Sequence, residues 1–217
     1  MKNSITIILL LISFISSAQK LNSFQEIDQK MAKIPDSLCH STDKIAGYIN
    51  TYFKTDDHKI RAVFYFTASK IDYEVVNMLT INLNLKSEEI IKNTLETRKG
   101  VCINYAEVFN DIAQKVGIKS YIIEGYTKQN GKIDVLSHAW CAAFLNHKWF
   151  VFDPTWGAGY VMNGKYVKKI NERFYKIDPT KIISSHMPFD YLWQFLNYPI
   201  SYDEFYKGIT LINKSSK

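Results

Sequence analysis

The sequence predicts an α+β domain, and three observations carry that reading. Through most of the first half, apolar residues recur at three- and four-residue spacings, the period of a helix with one buried face. From residue 120 the pattern changes to short runs rich in Ile, Val, Tyr and Phe, separated by polar turns. The helices come first and the strands follow, without the alternation of a doubly wound fold. No linker, internal repeat or low-complexity tract divides the 217 residues.

Residues 1–18 read as a secretory signal peptide. Lys2 gives a short basic start, and Ile5 to Ile15 is an apolar run too short to span a bilayer. Ser16-Ser17-Ala18 then places small residues before Gln19, as at a cleavage site. With the signal removed, no stable membrane insertion is expected, and the chain is expected to be exported, either periplasmic or secreted. Residues 19–36 are expected to be a polar, mobile lead-in with some helical tendency. Residues 37–217 are of a size for one domain that needs no disulfide staples.

Within that domain, Leu38, Ile45, Tyr48, Ile49 and Tyr52 predict a helix over 37–52. A second helix starts near Asp56 or Asp57, either of which serves as N-cap. Its stripe of Ile60, Val63, Phe64, Phe66, Thr67 and Ile71 reads as core. Residues 75–95 carry no clear period and suggest a surface insertion or a short helix from Ser87. The periodicity of Ile103, Ala106, Phe109, Ile112, Ala113 and Val116 predicts a helix from Cys102, closed by Gly117. Ser120 to Gly125 predicts a strand, and Gln129-Asn130-Gly131 a turn. Strands over 137–145 and 148–153 form a hairpin about Asn146-His147, with Pro154 stopping the second. The stretch from Tyr160 onwards is an aromatic-rich extension without a simple period.

The formal net charge of +6 is mild and spread along the chain, with no basic block of the kind that tracks a phosphate backbone. Nucleic acid is therefore not an expected partner. Of the three cysteines, Cys39 and Cys141 are open to two readings, a disulfide or two buried free thiols. An odd count leaves at least one thiol free. The histidines are not clustered in sequence and no Cys-x-x-Cys occurs, so a structural zinc site is not expected; no cofactor is expected either.

Three short stretches carry the chemistry: Gly100-Val101-Cys102, Ser137-His138-Ala139-Trp140 and Phe152-Asp153-Pro154-Thr155-Trp156-Gly157. Cys102 sits at a helix start, where unpaired backbone N–H groups stabilise a thiolate and can receive an oxyanion. With a two-residue turn at Asn146-His147, His138 and Asp153 become diagonal neighbours on one face of the hairpin. A turn at Leu145-Asn146 would place them directly opposite instead, and either register keeps them on the same face. A thiol, an imidazole and a carboxylate so disposed suit acyl transfer, with Cys102 as nucleophile, His138 as proton carrier and Asp153 as its orienting group. Each also has a plainer reading: a buried thiol, a core histidine, a strand-end turn residue. Trp140 and Trp156 are expected to pack, and His40, His58, His147 and His186 to be surface or packing residues.

The stretch from Arg98 to Ala106, with His138-Ala139-Trp140 and Asp153-Pro154-Thr155-Trp156-Gly157, resembles the transglutaminase-like superfamily, in the branch of kyphoscoliosis peptidase and a related cytokinesis protein. Similarity extends upstream over Arg61 to Phe66 and Lys70 to Tyr73. Downstream it takes in His186-Met187-Pro188, Trp193 to Leu196 and Pro199-Ile200-Ser201. The resemblance implies a papain-like fold, a nucleophile at a helix N-terminus packed on an antiparallel sheet, and Cys102, His138 and Asp153 as catalytic residues, with no metal for the thiol chemistry. Asn104 stands where the family often has Gly, and is expected to narrow the cleft. Cys141 stands where it often has Asn, and is expected to face away from His138.

The leading expectation is an exported cysteine protease, amidase or crosslinking acyltransferase acting on a protein or peptide substrate. Two readings compete with it. One is a binding or scaffold module that retains the fold without catalysis; the other is a thiol redox protein, which needs Cys39 or Cys141 close to Cys102.

Overall fold

The computed structural model describes residues 24–77 and 85–208. The expected signal peptide at 1–18 and part of the ambiguous stretch at 75–95 lie outside the described residues. Residues 24–32 are helical (α1), followed by α2 (Thr42–Tyr52) and α3 (Asp56–Lys70). The lead-in is thus neither loose nor wholly polar from residue 24 onwards. Ile27, Met31 and Ile34 are buried in the main core, and Asp28 accepts a hydrogen bond from the buried Arg61 at 2.8 Å. Three apolar residues at helical spacing outweigh the polar composition around them.

In α3 the cap is Thr55, one residue ahead of the expected aspartates, and its hydroxyl accepts from the His58 N–H. Asp56 and Asp57 instead occupy the first turn, where their charge complements the helix dipole. The expected stripe is buried, with Ile60, Val63, Phe64, Phe66 and Thr67 fully enclosed. Each such apolar side chain contributes about 1.5–3 kcal/mol of burial free energy.

Beyond α3 comes β1 (Asp72–Tyr73), then α4 (Ser87–Thr97), β2 (Lys99–Gly100) and α5 (Cys102–Lys115). β1 and β2 pair in parallel, Tyr73 opposite Gly100, which fixes Tyr73 beside the start of α5. Glycine is required at 100: a Cβ there would lie 2.3 Å from the Cβ of Asn104. α5 runs through the core, burying Tyr105, Ala106, Val108, Phe109, Ile112 and Ala113, and ends before Gly117 at φ 89°.

The sheet is built from β3 (Ser120–Gln129), β4 (Lys132–Ile133), β5 (His138–Leu145) and β6 (Lys148–Phe152), in the order β4-β3-β5-β6. β3 runs four residues past the expected end. The β5–β6 hairpin turns at Asn146 and His147, with φ of 51° and 61°, and pairs Leu145 with Lys148 and Cys141 with Phe152. That is the two-residue turn with both central residues left-handed, whose twist matches the flanking strands. α5 packs on one face through Ala139, Cys141 and Ala143, while Trp140, Ala142 and Ile123 face a second cluster with Ile177 and Ile182. β5 is therefore buried on both faces and lacks the alternation of a half-exposed strand.

The aromatic-rich extension folds over the sheet. A hairpin of β7 (Gly159–Met162) and β8 (Lys165–Lys168) is followed by α6 (Pro179–Ile182), β9 (His186–Pro188) and α7 (Tyr202–Lys207). β9 joins β3 along the edge opposite β5: Gly125 pairs with both His138 and Pro188. The architecture is α+β and papain-like, a helix N-terminus set against a curled antiparallel sheet. Among the described residues no helix is long and apolar enough to cross a membrane.

Candidate active site

Cys102 opens α5 and is partly buried. The Val101 N–H just before it is held by the Asn104 side-chain oxygen at 3.0 Å, and the Asn104 amide donates to the Thr94 hydroxyl at 2.8 Å. Asn104 does not line the cleft beside His138, contrary to the expectation drawn from its place where the family often has Gly. It faces a separate hollow with Gly100 and Thr94, where it ties the start of α5 to α4.

His138 and Asp153 come together by hairpin register. Because Cys141 faces Phe152, residue 138 lies opposite 155 and diagonal to 153. The His138 Nε2–Asp153 Oδ2 distance is 2.8 Å. Pro154 ends the strand, and the chain folds back so that Asp153 Oδ1 accepts from the Thr155 and Trp156 N–H groups at 2.9 and 3.0 Å. Trp140 is a core residue, with its ring 6.1 Å from that of His138. Trp156 does more than pack: 5.5 Å from the imidazole, it also lines the open cleft.

His186 was expected to have no partner of consequence, and the histidines to be scattered. Instead His186 is fully buried with its Nε2 3.1 Å from the same Asp153 Oδ2. Its Nδ1 lies 2.9 Å from the Ser185 hydroxyl, and its ring packs edge-on to Trp140 and Trp156 at 5.0 and 4.7 Å. No local pattern announces this contact, since β9 is three residues long and reaches Asp153 only through sheet pairing. The donor atoms of His138, Asp153 and His186 lie within 4.8 Å of one another, a makeup that metal sites also use. Here the 2.8 and 3.1 Å separations are those of N–H···O bonds, which occupy these same atoms.

The His138 ring and the Ala139 backbone are the groups that stabilise a thiolate at Cys102. With Nε2 committed to Asp153, Nδ1 is the nitrogen left for the sulfur. Burial alone pushes the Cys102 thiol up, but the His138 bond and charge outweigh it and hold it below the ordinary thiol value. Burial likewise opposes charge on His138, and the Asp153 carboxylate more than reverses it, pushing the imidazole up to about 10. Asp153, desolvated yet faced by His138 and His186, is held well below the usual carboxylate range. His186 is shifted down, by burial first. The arrangement favours a thiolate beside an imidazolium, with a neutral second imidazole behind the carboxylate.

Cys39 and Cys141 are both free and buried, their thiols donating to the carbonyls of Pro35 and Ala106 at 3.5 Å each. The disulfide reading does not hold. Cys141 faces α5 and away from His138, as strand parity requires. A cleft of about 710 Å³ opens over His138, bounded by Tyr73, Trp156, Tyr160, Tyr166 and Phe174.

Comparison with known proteins matches residues 43–154 to the model of the transglutaminase-like superfamily. Human kyphoscoliosis peptidase is 26% identical over 200 residues, covering 88% of this chain and 29% of that protein. The mouse kyphoscoliosis peptidase is 29% identical over 195 residues, covering 85% and 28%. The chain thus spans less than a third of the length of these curated relatives. Among solved structures, the periplasmic domain of TgpA from Pseudomonas aeruginosa aligns with a TM-score of 0.43 at 17% identity, over 61% of this chain and 48% of that one. An arylamine N-acetyltransferase from Mycobacterium abscessus aligns with a TM-score of 0.40 at 18% identity, over 54% and 40%. The matched span includes the helix start at Cys102, the strand of His138 and the turn of Asp153; this chain belongs to the transglutaminase-like superfamily.

Proposed function

We propose that this protein is an exported cysteine enzyme that hydrolyses peptide or side-chain amide bonds of a protein substrate. What supports this reading is the His138–Asp153 pair at 2.8 Å together with Cys102 at the start of α5, whose thiol the imidazole holds below its ordinary value. The Cys102 thiolate adds to the carbonyl carbon, and the carbonyl π electrons move onto oxygen. Backbone N–H groups at the start of α5 are placed to receive that oxyanion. Collapse of the intermediate expels the amine, which takes its proton from the His138 imidazolium, leaving a thioester on Cys102. A water molecule then gives a proton to His138 and its oxygen to the acyl carbon. The acid departs and the thiolate–imidazolium pair is restored. Asp153 holds the imidazole in the orientation for both transfers.

Hydrolysis is preferred to crosslinking because the cleft at His138 opens to solvent past the exposed Tyr160 and Lys169. Export rests on the apolar run from Ile5 to Ile15 and the small residues after it. The test is incubation with an unfolded protein substrate such as casein, with and without a primary-amine probe. New N-termini or released ammonia without amine incorporation support hydrolysis, and loss of both on Cys102→Ala assigns them to this thiol. Amine incorporation outpacing hydrolysis would move the assignment to crosslinking. No Cys102-dependent product of either kind would leave the scaffold reading.

A further inference from the structure

Asp153 is a buried anion with four hydrogen-bond donors. Oδ1 takes the Thr155 and Trp156 N–H groups, and Oδ2 takes both imidazoles. A carboxylate out of water stays ionised only when donors replace its hydration shell. Two of the four come from its own turn and one from His138. The fourth crosses from β9, on the far side of β3, and the proposed proton transfers make no use of it.

Packing defines the state of His186. The ring is enclosed by Trp140, Trp156 and Phe174, and the ionisable groups facing it are Asp153, His138 from β5 and Asp134 from the segment before β5. A charge on both imidazoles would set two cations on one buried carboxylate. His138 has a thiolate partner for its charge; His186 has the Ser185 hydroxyl. The ionised Asp153 carboxylate can only accept, so the proton of a neutral His186 ring sits on Nε2; Nδ1 is then the acceptor, and the Ser185 hydroxyl, 2.9 Å from it and 3.2 Å from the Ile182 carbonyl, donates to it.

We propose that His186 is a positioning residue of the thiol site: its Nε2–H, set by Ser185 at the opposite ring nitrogen, is the second donor that keeps Asp153 Oδ2 ionised and aimed at His138. It touches neither the thiol nor the substrate cleft. Its effect reaches Cys102 through Asp153 and His138, so the inference rests on the Cys102–His138 pairing proposed above. Removing the donor leaves Oδ2 with His138 alone, weakens the hold on the imidazolium and lets the thiol titrate nearer its free value.

The experiment is the rate of Cys102 alkylation by iodoacetamide against pH, in the wild type, His186→Phe, His186→Gln and Ser185→Ala, with melting curves to establish folding. In His186→Phe the apparent thiol pKa rises by about one unit and, at pH values below the wild-type thiol pKa, the rate falls about tenfold, since the reactive species is the thiolate. His186→Gln, which keeps an N–H at similar reach, regains most of that rate. Ser185→Ala shifts the profile in the same direction by less. A folded His186→Phe protein with the wild-type profile overturns the inference. Should that variant not fold, ¹⁵N imidazole shifts of the wild type decide. The expected result between pH 6 and 8 is a neutral His186 protonated at Nε2; a doubly protonated ring, or one bare at Nε2, overturns it. A wild-type thiol that titrates like free cysteine and ignores His138→Ala defeats the functional reading itself. An activated wild-type thiol insensitive to His186→Phe defeats only the role of His186.

Discussion

The end of the Trp140 ring lies across Gly125, in the space where a side chain on that residue would stand. A Cβ at 125 would meet the Trp140 ring at 2.7 Å and the Met187 carbonyl oxygen at 2.1 Å. This one bare position on β3 lets β9 approach on one side while Trp140 spreads over the strand, and both flank His186. Gly125→Ala forces backbone to shift and is expected to cost about 1–3 kcal/mol, as overpacking does. Thermal melting measures the loss, and the alkylation profile of Cys102 is expected to move with it because β9 carries His186. An unchanged melting temperature would contradict the close packing.

Arg61 is a buried cation in the middle of α3, its side chain 1% exposed. It is held by Asp28 of α1 and by Glu172, which bonds both guanidinium amino groups. Its guanidinium also lies 4.8 Å from the Phe24 ring and 4.9 Å from that of Tyr175. Arg61→Ala strips a partly buried Asp28 of its partner, and the expected cost is about 3 kcal/mol, at the low end for broken buried pairs because Glu172 reaches solvent. Denaturant unfolding checks this. A change below about 0.5 kcal/mol, the range of an ordinary surface substitution, would contradict it.

Asn104 anchors the start of α5 rather than shaping the substrate cleft. Asn104→Ala leaves the Val101 N–H and the Thr94 hydroxyl without this partner, so about 1–2 kcal/mol of stability is expected to go. Substrate affinity is expected to hold better than the turnover number, because the displaced part is the helix start beneath the sulfur. Steady-state kinetics on any substrate found for this protein separates the two. A rise in KM with kcat unchanged would place Asn104 in the cleft after all.

The ionisation of the site sets a pH dependence of stability. His138 has a folded pKa pushed up to about 10, against 6.5 for the free imidazole, by Asp153 and Cys102 working against burial. A raised pKa stabilises the fold fully below 6.5 and loses that stabilisation as pH climbs through the folded value. Asp153 behaves in the opposite sense: its share is present above 3.8 and is lost as pH falls through its lowered value. In a Cys102→Ala background, which removes the thiol's own titration, His138→Gln is expected to lower the melting temperature most below pH 6.5. That gap should shrink as pH rises above 6.5 through the folded imidazole's own pKa, which without Cys102 lies below the value of the intact site. A gap that widens with pH would contradict the imidazolium assignment.

Much of this was legible where the cause is local. The β5–β6 register follows from a two-residue turn at Asn146-His147, and strand parity alone puts His138 and Asp153 on one face and Cys141 on the other. The start of α5 at Cys102 follows from apolar period and glycine placement. What the sequence concealed depends on distant segments meeting. α1 is core because Ile27 and Met31, with Ile34 just beyond its end, join the main cluster with residues of α2 and α3, not because its composition is apolar. The Asp28–Arg61–Glu172 cluster joins three separate parts of the chain. His186 reaches Asp153 only because β9 pairs with β3, and three residues of strand leave no periodicity to read.

The central claim is that Cys102 and His138 form an activated pair, and the most direct measurement is the rate of Cys102 alkylation by iodoacetamide against pH, in the wild type and in His138→Ala. The account predicts rapid alkylation well below the free-thiol pKa of about 8.5, with a plateau through neutral pH, and a large slowing at pH 6 when His138 is removed. A wild-type profile that rises only near pH 8.5 and is indifferent to His138 would contradict it.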